Sequence, residues 1–229
     1  LAVTASSVWK STNNGATWNQ VNNITFGAGG SNGIRVMTNK VAPQTVYIIS
    51  NGNNGQIYKS TDTGTSFTSI YQSTTECLVC YDEDPVNAGQ GNYDLAGEGD
   101  PLDPNHLYVA AHCLWESSDG GLSWQRKTDW WAHLHTDHHQ FVFDPYNNQK
   151  LWSINDGGIW LRQGTNDSLW NPMSDGISAT EIYHAASSPT DKKLISIGTQ
   201  DNGELYKNHQ GWFTNRGGDW TSTMYFDYS

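Results

Sequence analysis

Basic residues are scarce in this chain. Its 229 residues include 12 Lys or Arg against 23 Asp or Glu, a net charge of −11. Phosphate backbones need a cationic face, so nucleic acid is not an expected partner. Arginine is limited to Arg35, Arg126, Arg162 and Arg216. No apolar run approaches the roughly 20 residues of a membrane-spanning helix. The start, Leu1-Ala2-Val3-Thr4, lacks the basic and long apolar regions of a signal peptide. It reads as the middle of a repeat, and predicts a piece of a longer protein with further domains beside it. No Gly-x-Ser-x-Gly elbow or phosphate-binding loop occurs. Cysteine is confined to Cys77, Cys80 and Cys113. The first two have redox-motif spacing, but the context is β-rich and no second pair completes a zinc set.

Glycine (23) and tryptophan (11) are present in quantity, while charged residues make up only 15%. That profile fits many short strands joined by turns. One stretch recurs. Ser117, Asp119, Gly121, Ser123 and Trp124 form a Ser-x-Asp-x-Gly-x-Ser-Trp pattern; Ser60, Asp62, Gly64, Ser66 and Phe67 repeat it; Ser11, Asn13, Gly15, Thr17 and Trp18 give it with Asn for Asp. The Asp or Asn side chain suits a turn because it accepts from backbone N–H groups. The glycine supplies the backbone angles of a tight turn. A short strand precedes each copy and recurs twice more, starting at 8, 57, 114, 159 and 205, spacings of 49, 57, 45 and 46. A four-stranded propeller blade repeats at about 40–50 residues.

These boxed turns resemble the Asp-box, or BNR, repeat of sialidases, sortilin-type receptors and xyloglucan hydrolases. The resemblance implies an all-β fold, a β-propeller of four-stranded blades. The chain is expected to form one region, 1–229, of five repeats. Strands A to D of each blade run outward from the axis, twenty in all, starting on a B strand and ending on an A strand near 223–228. That last strand either closes a five-bladed ring or belongs to a larger ring, the reading preferred here. Residues 89–96 (Gly-Gln-Gly-Asn-Tyr-Asp-Leu-Ala), 135–139 (His-Thr-Asp-His-His), Asn155-Asp156-Gly157-Gly158 and Gln200-Asp201-Asn202-Gly203 are similar to segments of large secreted bacterial Asp-box proteins, many exported by type IX secretion. The chain departs from them at Asn92, where Trp is usual, and at Trp220, where Gly is usual. The resemblance implies an extracellular or cell-surface location and does not fix an activity.

Propeller topology sends B–C and D–A loops to one face and A–B and C–D loops, with every box, to the other. The box residues are therefore read as structural. The first face collects Trp130, Trp131, His135, Asp137, His139, Asp219 and Trp220, with His112, Asp156 and Asp201 from B–C loops and Asp94 at the mouth of an A strand. The other eight tryptophans are assigned to packing between blades. Trp130, Trp131 and Trp220 either stack on sugars or cap gaps between blades. Strict alternation would aim His135, Asp137 and His139 to one side, a set suited to zinc; a polar network is the alternative, and no metal or cofactor is assigned. Calcium on acidic loops is possible, but no dedicated calcium loop is visible.

The sequence thus predicts a ligand-binding module for a glycan or an extracellular protein. One alternative is a xyloglucanase-like inverting glycoside hydrolase. In xyloglucan hydrolases an Asp in a similar B–C loop is catalytic, which points to Asp156 paired with Asp201; inversion needs carboxyls roughly 6.5–9.5 Å apart. Another is an adhesive protein with no small-molecule site. A sialidase needs three arginines on one carboxylate, and only Arg35 and Arg216 can reach the first face. Cys77, Cys80 and Cys113 share that face, and Cys113 is expected to bond Cys77 or Cys80, as suits an oxidising compartment.

Overall fold

A computed structural model describes all residues except 5, 28–32, 82–88, 129–133, 165–168, 178–179 and 216–229. It divides into two units, Leu1–Met173 and Ser174–Ser229. The first holds four antiparallel sheets. One is β1 (Ala2–Val3), β2 (Val8–Lys10) and β3 (Asn19–Val21). The next is β4 (Ile34–Thr38), β5 (Val46–Ser50), β6 (Gln56–Ser60) and β7 (Thr68–Tyr71). The third is β8 (Ala96–Gly99), β9 (Leu107–Ala110), β10 (Leu114–Ser117) and β11 (Gln125–Arg126). The fourth is β12 (His138–Asp144), β13 (Asn147–Asn155), β14 (Gly158–Gln163) and β15 (Trp170–Pro172). The second unit holds β16 (Ile182–Ser187), β17 (Ile195–Thr199), β18 (Glu204–Asn208) and β19 (Gly211–Asn215), paired in the same order. These meanders are β-propeller blades. In the first unit the inner strands β4, β8 and β12 lie side by side. The expected strand at 223–228 lies outside the described residues.

Why the blades stack follows from the period of two along each strand. In β9, Leu107 and Val109 pack toward the second sheet, while Tyr108 and Ala110 pack toward the fourth. In β5, Val46 and Ile48 meet Val8 and Val21 of the first sheet, and Tyr47 and Ile49 meet the third. A strand buried on both sides reads as a continuous apolar run, as both of these do. Fully burying one such side chain contributes about 1.5–3 kcal/mol. Polar links reinforce the joints. The Tyr47 hydroxyl donates to Pro104 O (3.1 Å), and Arg162 Nη2 donates to the Tyr108 hydroxyl (2.8 Å) with its guanidinium over that ring.

The tryptophans only partly follow expectation. Trp115, Trp124 and Trp170 are buried between sheets. Trp18 and Trp212, also assigned to packing, are 42% and 51% exposed. Phe67 and Trp124 close their boxes by packing into the joint with the preceding sheet. Trp18 closes the box of the first sheet and stays exposed. Its indole N–H donates to Gly15 O, as that of Trp124 donates to Gly121 O.

The boxed turns have the geometry their residues suggest. Ser117 Oγ donates to Asp119 Oδ1 (2.9 Å) and accepts from Gly121 N (2.9 Å). Asp119 Oδ1 accepts from the backbone N of Leu122 and of Ser123, and Oδ2 from Ser123 Oγ (2.6 Å). Asp62 repeats this, whereas Asn13 Oδ1 accepts from Ser11 Oγ and Thr17 N and its Nδ2 donates to Thr17 Oγ1. Each box needs a left-handed residue, supplied by Gly15, Gly64 and Gly121 with φ of 87°, 75° and 86°. Thr63 N donates to Gln44 O and Gly120 N to Asn105 O, so in both sheets the C–D turn lies beside the A–B turn.

The cysteines require a correction. Cys77 bonds Cys80, with Cα atoms 5.4 Å apart, and the expected bridge to Cys113 is not formed. The local turn already brings its two thiols within bonding range, anchored by Leu78 N donating to Asn54 O. Cys113 is buried, with its Sγ 3.8 Å from Tyr81 O. Among the described residues no helix is long and apolar enough to cross a membrane.

Two outcomes follow for the turns. Ser117→Ala should cost about 1–3 kcal/mol in denaturant titration, because the buried N–H of Gly121 loses its acceptor. The hydrogen bond from Ser123 outweighs burial and, with the other donors, holds Asp119 down at about 2. A carboxyl lowered on folding stabilises above its unfolded pKa, near 3.9. That contribution should fade as pH falls through about 2, and Asp119→Asn should flatten this part of the acid-unfolding curve.

Candidate functional site

Loops of the first unit bring together a cluster of histidines, aspartates and tyrosines. Residues 90–94 form a turn rather than strand, with the backbone N of Tyr93 and of Asp94 both donating to Gln90 O. The inner strand therefore begins at Ala96, later than the sequence suggests, and leaves Tyr93 and Asp94 in the loop. From the β9–β10 turn comes His112. From the connection into β12 come His135 and Asp137, and from the start of that strand His138 and His139, held by His138 N donating to Ala111 O (2.8 Å).

At the centre, Asp137 Oδ1 is 2.7 Å from His112 Nδ1, and Thr136 Oγ1 donates to Oδ2. Asp94 is fully buried, and its Oδ2 accepts from Gln90 Nε2 (3.2 Å). No donor reaches its buried Oδ1. Burial, then the neighbouring Asp137, push the Asp94 carboxyl up to about 8. Burial also raises Asp137, but the bond to His112, its charge and the bonds from Asp94 and Thr136 outweigh it and hold Asp137 at about 2. A neutral acid thus faces a carboxylate that an imidazole supports. His138, beside them, is buried against Ser153 Oγ (3.0 Å), and desolvation lowers it to about 3; it is neutral.

At the exposed edge, His139 Nε2 lies 2.6 Å from Asp156 Oδ1. Tyr93 packs edge-on against His139 with centroids 5.4 Å apart, and Tyr81 against His112 at 5.0 Å. The tyrosines are 61% and 44% exposed. Asp156 belongs to the turn Asn155-Asp156-Gly157-Gly158, where Gly157 N donates to Asn155 Oδ1 and Gly158 has φ 107°. A Cβ at Gly157 would sit 2.5 Å from His135, so the bare glycine seats that histidine.

The alternation expected for His135, Asp137 and His139 does not hold. Asp137 has φ 62°, which breaks the extended run. In β12 the register slips between His138 and Gln140, so His139 is the extra residue of a bulge, a device that re-aims a side chain. The three side chains reach different partners: Thr136 O for His135, His112 for Asp137 and Asp156 for His139. Asp201 sits in the β17–β18 turn of the second unit at φ 56°. Trp130, Trp131, Asp219 and Trp220 lie outside the described residues. Two cavities among the described residues, of about 660 and 510 Å³, lie apart from the cluster, the first beside Trp124 and Arg126, the second beside Lys10 and Gln20.

No family model and no curated protein matches the sequence. Solved structures do. The chain is similar to the GH74 enzyme of Niastella koreensis, with TM-score 0.53, 16% identity, and coverage of 92% of this chain and 34% of that one. It is similar to the GH74 xyloglucanase of Xanthomonas campestris, with TM-score 0.52, 15% identity, and coverage of 93% and 36%. YCF48 bound to a D1 peptide aligns at TM-score 0.46 and 16% identity, over 90% of this chain and 59% of that one. The chain spans about a third of the length of the GH74 structures, and at these identities the likeness is one of fold.

Sequence reasoning did not flag Tyr81 or Tyr93, although Tyr93 stands in Gly-Asn-Tyr-Asp beside a flagged aspartate. It placed His112 on the right face but did not connect it to Asp94. Gly157→Ala should destabilise the chain by about 1–3 kcal/mol through overpacking on His135, read as a lower denaturation midpoint.

Proposed function

We propose that this face binds a glycan, and that the chain is part of a secreted or cell-surface propeller. The observation that carries the reading is the pair of exposed tyrosines set edge-on against His112 and His139, at the rim of a buried polar network. A tyrosine ring offers an apolar face and a polar tip, the combination that suits a sugar ring with its hydroxyls. The His139/Asp156 pair beside Tyr93 supplies a donor and an acceptor for those hydroxyls. Fixed polar groups near an aromatic surface give a site its orientation. The Cys77–Cys80 bridge supports an oxidising compartment outside the cytosol.

A second reading is hydrolysis. Asp156 precedes a glycine pair, as the resemblance to xyloglucan hydrolases requires, and GH74 enzymes share the fold. In this reading Asp156 is a catalytic carboxylate, and His139 orients it.

A glycan array followed by titration of the best ligand tests the first reading, and a reducing-sugar assay on xyloglucan tests the second. Tyr93→Ala should weaken binding about tenfold, roughly 1.4 kcal/mol, with folding unchanged. Asp156→Asn should leave a clear share of binding and remove any hydrolysis. Binding unaffected by Tyr93→Ala would place the ligand elsewhere. Silence of the intact protein in both assays would favour an adhesive role without a small-molecule site.

A further inference from the structure

We infer that Asp94, His112 and Asp137 form a binding site for one zinc-class divalent cation. They come from three separate connections: the loop into β8, the β9–β10 turn and the loop into β12. One ligand atom from each, a ring nitrogen or a carboxylate oxygen, lies within 4.8 Å of the others. All three residues are buried, at 0%, 7% and 7% exposure. This differs from the His135, Asp137 and His139 set that local alternation suggests; here the donors converge only through the tertiary fold.

What lifts the cluster above a set of polar residues is Asp94. Its Oδ1 is buried and has no hydrogen-bond donor. Neither Asp94 nor Asp137 has a Lys or Arg partner among the described residues. Two buried carboxyl groups without a Lys or Arg partner are costly in a dry interior. A divalent ion would relieve this by engaging all three groups together. The donor set selects the ion. One imidazole and two carboxylates suit zinc, whereas calcium and magnesium prefer oxygen alone. His112 Nδ1 and Asp137 Oδ1, now 2.7 Å apart, would separate to about 3.3 Å as tetrahedral neighbours on zinc. Three protein donors leave a fourth position for water or a ligand atom. The bound ion would tie the third sheet to the loop entering the fourth, beneath the rim that the tyrosines form.

The test is titration of the chelator-treated 229-residue chain with zinc chloride, read by calorimetry and thermal unfolding. Cobalt(II) absorption gives a direct view of the ligand field. We expect one zinc per chain, a rise in Tm on loading, and visible cobalt bands displaced by zinc. Asp94→Asn preserves shape and removes the charge, so it should fold and weaken zinc binding by more than about a hundredfold, beyond the cost of losing a mere outer partner. His112→Gln should do the same and alter the cobalt spectrum. His209→Gln, an exposed histidine outside the cluster, should change neither. Absence of stoichiometric zinc binding in the intact chain would overturn the proposal. So would binding that survives both Asp94→Asn and His112→Gln, because the ion would then sit elsewhere.

Discussion

Burial of the middle strands on both faces is the constraint on which the rest of this structure depends. Leu107 and Val109 close one joint and Tyr108 and Ala110 the next, so β9 has no face left for chemistry. The same holds for β5. Polar function is thereby confined to the loops, and the meander decides which loops meet. Turns after the first and third strands of a sheet gather together, as the contacts of Thr63 with Gln44 and of Gly120 with Asn105 record. The remaining loops gather the histidines and aspartates.

Aspartate has opposite properties in these two settings. In a boxed turn, Asp119 is exposed and accepts from serine hydroxyls and backbone N–H groups, so its charge is solvated by its own turn. Asp94 has the same side chain, fully buried, with one amide donor to its carboxyl. It is therefore held neutral unless a cation joins it. Counting donors around each carboxyl separates a structural aspartate from one available for other work, and residue type alone does not.

This distinction sets what was legible in the sequence. The repeats, the blades and the box turns could be read because each is encoded within a few residues: a serine, an aspartate three before a backbone donor, a glycine with positive φ. The Cys77–Cys80 bridge was misread although it too is local, because pairing across loops was preferred to closure within one turn. Trp18 was misread because burial depends on a neighbouring sheet, which its own repeat does not specify. The link between Asp94 and Asp137 spans 43 positions, and no local pattern marks it. Tyr93 was missed because the turn at 90–94 delays the strand, and that turn rests on two backbone bonds to Gln90 O.

The His-Thr-Asp-His-His run shows why reading the fold did not amount to reading the site. In a regular strand, alternate residues share a face, and the run would have made one compact cluster. Two backbone departures prevent that, the left-handed conformation of Asp137 and the bulge at His139. A left-handed non-glycine residue is disfavoured by roughly 1–3 kcal/mol, so the surrounding contacts must outweigh that cost. The contacts that do so are the Asp137 bond to His112 and the backbone bond from His138 to Ala111, both made to the β9–β10 turn. The third sheet thus fixes where the side chains of the loop entering the fourth will point. One short segment thereby supplies a buried carboxylate, a neutral buried imidazole and a rim histidine to three different environments. A site made this way depends on the joint between blades, and any change that loosens the joint should disperse the cluster before it unfolds a blade.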